Sequence, residues 1–332
     1  MDFLAPIQIP DLKPPITYRD KIFLIGSCFT EHIGNALAEH KFNILQNPNG
    51  ILFDPYSVCK SLITYIDKEP QNAEDLIYLN ELWQSWQYHS KYSGMEQQKV
   101  VAYINESRTQ AHNFLKNSDW LIITLGSSYS YVLNEKSPEP RHHRLHVANC
   151  HRAPGQWFDK TLLSIEEIIA LLDTMYHRIR HFNSNIKILF TISPVRHLRD
   201  GVVANNRSKA RLIEAVHHLV DKFPELHYFP AYELVVDVLR DYRFYDIDLA
   251  HPNYAATEFV LEKFGQHCIA EPDRQLMKEI KQISIAKKHK PFQPETTAHQ
   301  AFLQANLQKA QSLSAKYPFL NLDEEIEYFS TK

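Results

Sequence analysis

With 332 residues, of which 44% are hydrophobic and 23% charged, the chain has the size and mix of an ordinary globular protein, which excludes wholesale disorder and a fibrous architecture. A formal charge of -3 and a pI near 6.7 supply no basic field for a phosphate backbone, so nucleic acid is excluded as the main partner. Cys28, Cys59, Cys150 and Cys268 lie too far apart for a zinc knuckle or a secreted disulfide scaffold, which predicts free thiols in a reducing compartment.

The N-terminal stretch has no basic segment followed by an apolar core, and Pro6, Pro10, Pro14 and Pro15 interrupt it, so it does not read as a signal peptide. No later stretch approaches the ~20 apolar residues that span a bilayer. The expectation is a cytoplasmic protein without a membrane span.

The block Lys21 to Ile25 (KIFLI), closed by Gly26, reads as a buried strand entering a tight turn, and a helix follows in which Ile33 and Leu37 stand one turn apart. The same grammar recurs at Trp120 to Leu125 before Gly126, at Ile186 to Ile192 before Ser193-Pro194, and at Leu226 to Phe229 before Pro230. Between them, Ser164 to Ile179 places Ile165, Ile168, Ile169, Leu172 and Tyr176 at helical spacing, with Ser164 as cap and Glu167 three residues on. A second helix is expected over Ser208 to Phe223. Strands alternating with helices predict a three-layer α/β/α fold with a mostly parallel sheet, whose ligand site lies beyond the carboxyl ends of the strands.

Two stretches break the alternation: residues 70–100, with Trp83, Trp86, Tyr88, His89 and Tyr92, and residues 134–158, rich in Pro, His and Arg. Both are expected as long insertions near the site. The aromatic group suits either a sugar or acyl platform or the apolar side of a lid. His89, His142, His143, His146 and His151 lack a metal-ligand spacing and read as solvent-facing or hydrogen-bonded, so no metal is assigned. From Glu271 the pattern turns polar and helical, with Ala301, Leu303, Leu307 and Leu313 as its apolar positions, which divides the chain into an α/β domain over 1–270 and a C-terminal helical extension over 271–332.

Two constellations carry chemistry. Gly26-Ser27-Cys28-Phe29-Thr30 puts a serine and a cysteine between a strand and a helix N-terminus, where free N–H groups and the helix dipole lower a thiol pKa and can hold an oxyanion. The alternative is a tight turn with a small residue packed under the helix. Asp248-Leu249-Ala250-His251 allows the carboxylate to orient the imidazole as a general base; an exposed turn with a capping Asp is the alternative, countered by its place after the last strand.

The block GSCFT resembles the defining motif of the GSCFA-domain family, within the SGNH (GDSL-like) hydrolase superfamily. The resemblance extends over most of residues 15–265 through NPNGILFDP (Asn47 to Pro55), TLGSSY (Thr124 to Tyr129), NCH (Asn149 to His151), TISPVRH (Thr191 to His197), NNRSKA (Asn205 to Ala210) and RDYRFYDIDLAHP (Arg240 to Pro252), in that order. It implies a flavodoxin-like SGNH fold and a bacterial-type ester hydrolase or acyltransferase. Laid over the G-D-S block, Cys28 takes the nucleophile position and Ser27 the Asp position, with Ser27 as the alternative nucleophile. The second block makes Gly50 the oxyanion-hole candidate, with a turn glycine as the other reading. The third block, normally G-x-N-D, reads Gly126-Ser127-Ser128-Tyr129 and lacks the Asn donor, for which Ser128, Asn149 or His151 are the substitutes; His89 joins them as a substrate-binding candidate.

The implied substrate is a small-molecule or carbohydrate ester, with acetyl-CoA as acyl donor if the reaction is transfer and otherwise no cofactor. An inactive module that binds a glycan or acyl ligand is the competing expectation. The sequence leaves the oligomeric state open.

Overall fold

The computed structural model describes residues 5–331. Residues 1–4, on which the signal-peptide expectation partly rests, lie outside them. Strand β1 (Lys21–Gly26) leads into α1 (Cys28–Glu39), β2 (Asn43–Gln46) and α2 (Pro55–Asp67). A hairpin of β3 (Ile77–Leu79) and β4 (Leu82–Gln84) precedes α3 (Gln97–Lys116) and β5 (Trp120–Leu125). Then β6 (Tyr129–Leu133), β7 (His146–Val147) and β8 (Phe158–Leu162) form a small antiparallel sheet in the order β7-β6-β8. The chain continues through α4 (Ile165–Phe182), β9 (Lys187–Ile192), α5 (Val202–Lys222) and β10 (Leu226–Tyr228). A short α6 (Ala231–Glu233) runs into a π-helical turn over Leu234–Leu239, and α7 (Tyr254–Cys268), α8 (Glu271–Lys288), α9 (Thr297–Lys316) and α10 (Asp323–Thr331) complete it.

The central sheet has the order β10-β9-β5-β1-β2 with every pair parallel. Counting its five strands along the chain, this is the flavodoxin-like order 2-1-3-4-5, whose topological switch point lies between β1 and β5. Alternate side chains leave opposite faces of a strand, and both faces of this sheet are covered. Ile22 and Leu24 of β1 join Trp120 and Ile122 of β5 in one apolar cluster with Phe29 and Ile33 of α1 and Val260 and Phe264 of α7. Phe23 and Ile25, with Leu121 and Ile123, face the other way onto α2, α3, α4 and α5. This is a three-layer α/β/α arrangement with a mostly parallel sheet.

Helix α4 starts where its sequence signals say: Ser164 Oγ accepts from Glu167 N (3.2 Å) and the Glu167 carboxylate accepts from Ser164 N (2.7 Å), a capping box. Helix α5 begins at Val202, ahead of the expected Ser208, because in residues 202–207 Val202 and Val203 are exposed while the polar Asn205 is buried, which leaves no apolar period to read. Among the elements that the sequence pattern did not mark are the edge strand β2, short and only half-buried, and the helices α2 and α3, which flank the first insertion.

The C-terminal helices share the main core. Leu276, Ile280 and Ile283 of α8 and Leu303 and Leu313 of α9 belong to the same apolar cluster as Ile22 and Phe264. Glu325 of α10, buried, accepts from Lys287 (3.3 Å) and forms an ion pair with Lys41 (2.9 Å).

Candidate functional site

The turn at the end of β1 is built around close backbone approach. Gly26 sits at φ +144°, and a Cβ on it would lie 2.2 Å from Thr124 O, so only glycine fits. Its N–H donates to Asn47 Oδ1 (2.9 Å), and Ser27 N donates to Thr124 O (3.1 Å), which brings the turn against the end of β5. Ser27 is the N-cap of α1 and Cys28 its first residue, at the switch point of the sheet.

The two nucleophile candidates differ in access. Ser27 is 3% exposed and its Oγ is buried without a hydrogen-bond partner, whereas Cys28 is only half-buried. Burial pushes the Cys28 thiol up; the Phe29 N–H and the Lys209 charge act against this, while Glu31 adds to it. These opposing influences are those expected at the start of a helix, where the first N–H groups have no intrahelical acceptor.

Asp248 and His251 meet on one turn. Asp248 Oδ2 lies 2.6 Å from His251 Nδ1, and Asp248 Oδ1 accepts from the N–H groups of Ala250 (2.9 Å) and His251 (3.0 Å). Those two backbone donors and then the imidazole hold the carboxyl down at about 2. The turn closes through Asp246 N to His251 O (2.8 Å) and is tied to the segment after β9 by Arg196 N to Ala250 O (3.0 Å). With Nδ1 facing the carboxylate, Nε2 is left for chemistry.

Burial lowers His32 of α1 and His197 of the segment after β9, and the charge of His251 adds to this in both. His32 itself lies one helical turn from Cys28 on α1. Among the described residues no hydrogen bond joins Cys28 to His251; such contacts often tighten only when substrate is bound. His197, its ring 5.7 Å from that of Phe53, is lowered to about 4, by burial first and then by Lys209.

Gly50, the oxyanion-hole candidate, sits in a turn that starts at Asn47. Its N–H donates to Asn47 O (2.8 Å), and at φ +83° a Cβ would lie 2.2 Å from His89 Cβ, so it is a turn glycine whose donor is already engaged. The third block is likewise committed: Gly126 N and Ser127 N both donate to Phe53 O (2.8 and 2.9 Å). Ser128 is fully buried, with its N–H on Ser208 Oγ (2.8 Å) and its Oγ donating to Ser208 O (3.1 Å), so it anchors α5 and replaces no oxyanion donor.

The remaining candidates belong to the insertions. His151, 5% exposed, has Nε2 2.7 Å from Ser85 O and Nδ1 3.2 Å from Ser90 Oγ, which engages both ring nitrogens in structure. Asn149 Oδ1 accepts from His151 N (2.9 Å), and His89 Nδ1 accepts from Lys91 N (3.2 Å). Trp86 and Tyr88, each 1% exposed, form the interior of this lobe, so neither is a stacking platform. The lobe encloses a cavity of about 230 Å³ that Cys28, Lys209 and His251 do not line. Among the described residues no group of His, Cys, Asp or Glu is arranged to hold a metal, and no helix is long and apolar enough to cross a membrane.

The sequence reading passed over Lys209. Its Nζ donates to Gly126 O (2.5 Å) and Ser193 O (2.6 Å), at the ends of β5 and β9, and the residue is 1% exposed. A signal was present: Lys209 shares a helical face with Leu212, Val216 and Leu219, all buried, and a lysine in such a stripe is out of pattern. His32 and His197 carried no comparable mark.

No match was found among curated proteins. Solved structures similar to the chain include a carbohydrate esterase family 3 from Talaromyces cellulolyticus, at 10% identity and TM-score 0.35 over 79% of this chain and 99% of that one. An acetyl esterase mutant with acetate ion aligns at 11% identity and TM-score 0.36, covering 80% and 99% of the two chains. The periplasmic domain of a lipopolysaccharide acetyltransferase from Salmonella ser. Paratyphi A aligns at 11% and TM-score 0.33, covering 74% and 82%. The model of the GSCFA family matches residues 21–264, and that of the GSCFA domain protein, C-terminal domain, matches residues 280–332. The chain belongs to the GSCFA family.

Proposed function

We propose that the protein is an acyl-ester hydrolase or acyltransferase in which Cys28 is the nucleophile, His251 the general base and then acid, and Asp248 the group that orients His251. The observation that carries this reading is a histidine whose Nδ1 is held by Asp248 at 2.6 Å, in a chain that also presents a half-buried thiol at the head of α1. The thiol proton passes to His251 Nε2 as sulfur attacks the acyl carbonyl. The tetrahedral intermediate collapses to a thioester when His251 returns the proton to the departing alkoxide, and water or an acceptor hydroxyl then releases the acyl group by the reverse sequence.

With Gly50, Gly126 and Ser127 donating elsewhere and Thr30 N–H engaged by Ser27 O (2.8 Å), the N–H groups of Cys28 and Phe29 at the head of α1 are the donors left to receive the oxyanion. The reading extends to a small-molecule or carbohydrate acyl ester as substrate, to acetyl-CoA as donor if the reaction is transfer, and to a reducing, cytoplasmic setting in which four free cysteines persist. The deciding experiment follows turnover of p-nitrophenyl acetate and acetyl-CoA by the protein and by His251→Ala. Loss of turnover in the variant is expected, and equal turnover overturns the assignment. The engagement of Gly50 N–H favours the competing reading, a glycan- or acyl-binding module, which predicts calorimetric binding without turnover of either probe.

A further inference from the structure

Lys209 is a cation without a carboxylate. Its ammonium has three donors, and the acceptors of two are neutral carbonyls, Gly126 O and Ser193 O. Removing an ammonium from water is offset only by a nearby negative charge or by full hydrogen bonding, which is why buried lysines are usually paired. Among the described residues no carboxylate forms an ion pair with Lys209, and the ionisable group that acts on its charge is the Cys28 thiol. The geometry supports this: Gly126, whose carbonyl Lys209 holds, packs so closely on the nucleophile turn that a Cβ there would lie 3.3 Å from Ser27 Cβ.

We propose that Lys209 is the internal counter-ion of Cys28, a positioning residue whose buried ammonium stabilises negative charge on the sulfur while its two carbonyl bonds hold that charge at the switch point. When the S–H bond breaks, the electron pair stays on sulfur and the proton goes to His251 or to solvent. Burial alone disfavours both charged forms, pulling Lys209 down to about 7 and pushing the thiol up, and each charge favours the other. The other groups around the pair are Glu31 on α1, which opposes the thiolate, His197, which shares the field of Lys209, and the Tyr232 ring, 5.9 Å from the ammonium.

The inference rests on the proposed function only in taking Cys28 as the reacting atom, and its test reads ionisation without turnover. Iodoacetamide modification of Cys28, followed by mass spectrometry over a pH series, is compared in the full chain and in Lys209→Met, with half-buried Cys150 as internal control. The variant is expected to move the Cys28 midpoint up by about one pH unit, slowing modification near pH 7 by roughly tenfold, with Cys150 unchanged. Superimposable Cys28 profiles in a folded variant overturn the proposal. The reciprocal measurement does not depend on that variant folding: in protein labelled with 13C-lysine, Cys28→Ala must move the Lys209 midpoint to lower pH, because coupling between two sites is mutual. An unmoved Lys209 resonance overturns it equally. A protein that turns over no ester but shows both shifts removes the esterase reading and leaves the counter-ion in place.

Discussion

Asp248 holds His251 at two points, its Oδ2 2.6 Å from the imidazole Nδ1 and its Oδ1 3.0 Å from the His251 N–H, so one carboxylate fixes both the ring and the backbone that carries it. Asp248→Asn keeps an oxygen acceptor for the backbone but weakens the hold on the Nδ1–H tautomer. The expected outcome is a fall in kcat of about 10²- to 10⁴-fold with little change in KM, measured by steady-state kinetics on an activated ester.

The same carboxylate has a pH signature. Its folded pKa, about 2, is below the ordinary carboxylate value of 3.8, so the stabilisation is complete above about pH 4 and is lost as pH falls toward 2. Because Asp248 is exposed, the effect is small and salt-sensitive. Thermal unfolding curves of the natural protein and Asp248→Asn should converge over this range; a constant separation would show that the carboxylate does not titrate with folding.

The burial of Ser27 Oγ against the access of Cys28 separates the two nucleophile assignments. Cys28→Ala should abolish turnover and acyl-enzyme formation, while Ser27→Ala should retain both within about an order of magnitude. Detection of the intact acyl-enzyme by mass spectrometry reports which residue carries the group, and an adduct on Ser27 would reverse the assignment.

His197 is neutral in the fold at pH values where an unfolded histidine is charged, since its pKa drops to about 4 from 6.5. Between these values the unfolded chain binds more protons, so this contribution to stability is full above about pH 6.5 and declines as pH falls to 4. His197→Gln should flatten the urea midpoint against pH in that window. An equally steep profile in the variant would assign the dependence to other groups.

Gly26→Ala places a methyl 2.2 Å from Thr124 O at a φ of +144°. Backbone strain alone costs about 1–3 kcal/mol, and the clash forces β1 and β5 apart, so a loss of roughly 3 kcal/mol or more is expected from denaturant unfolding. A near-neutral result would mean that the turn can open, which the Ser27 N to Thr124 O bond argues against.

Local pattern was enough for the scaffold because its rules are short-range: apolar blocks closed by Gly or Pro marked β1, β5, β9 and β10, and Ser164 with Glu167 marked the start of α4. Asp248 and His251, three residues apart, could meet on one turn whatever the remainder of the chain did, and the head of a helix after β1 placed Cys28. Fates that depend on distant partners were not legible. Gly50 offered its N–H to an oxyanion on paper, but the turn back to Asn47 claims it; Ser128 and His151 looked free until Ser208, Ser85 and Ser90 arrived from 80, 66 and 61 residues away. Lys209 is the plainest case, since one lysine in an apolar stripe has no meaning until β5 and β9 bring the carbonyls of Gly126 and Ser193 to its ammonium. The sequence by itself determined the strands β1, β5, β9 and β10, the start of α4 and the turn that carries Cys28, through propensity and periodicity, whereas which donors remain free was decided by the packing of parallel strands whose neighbours are far apart along the chain.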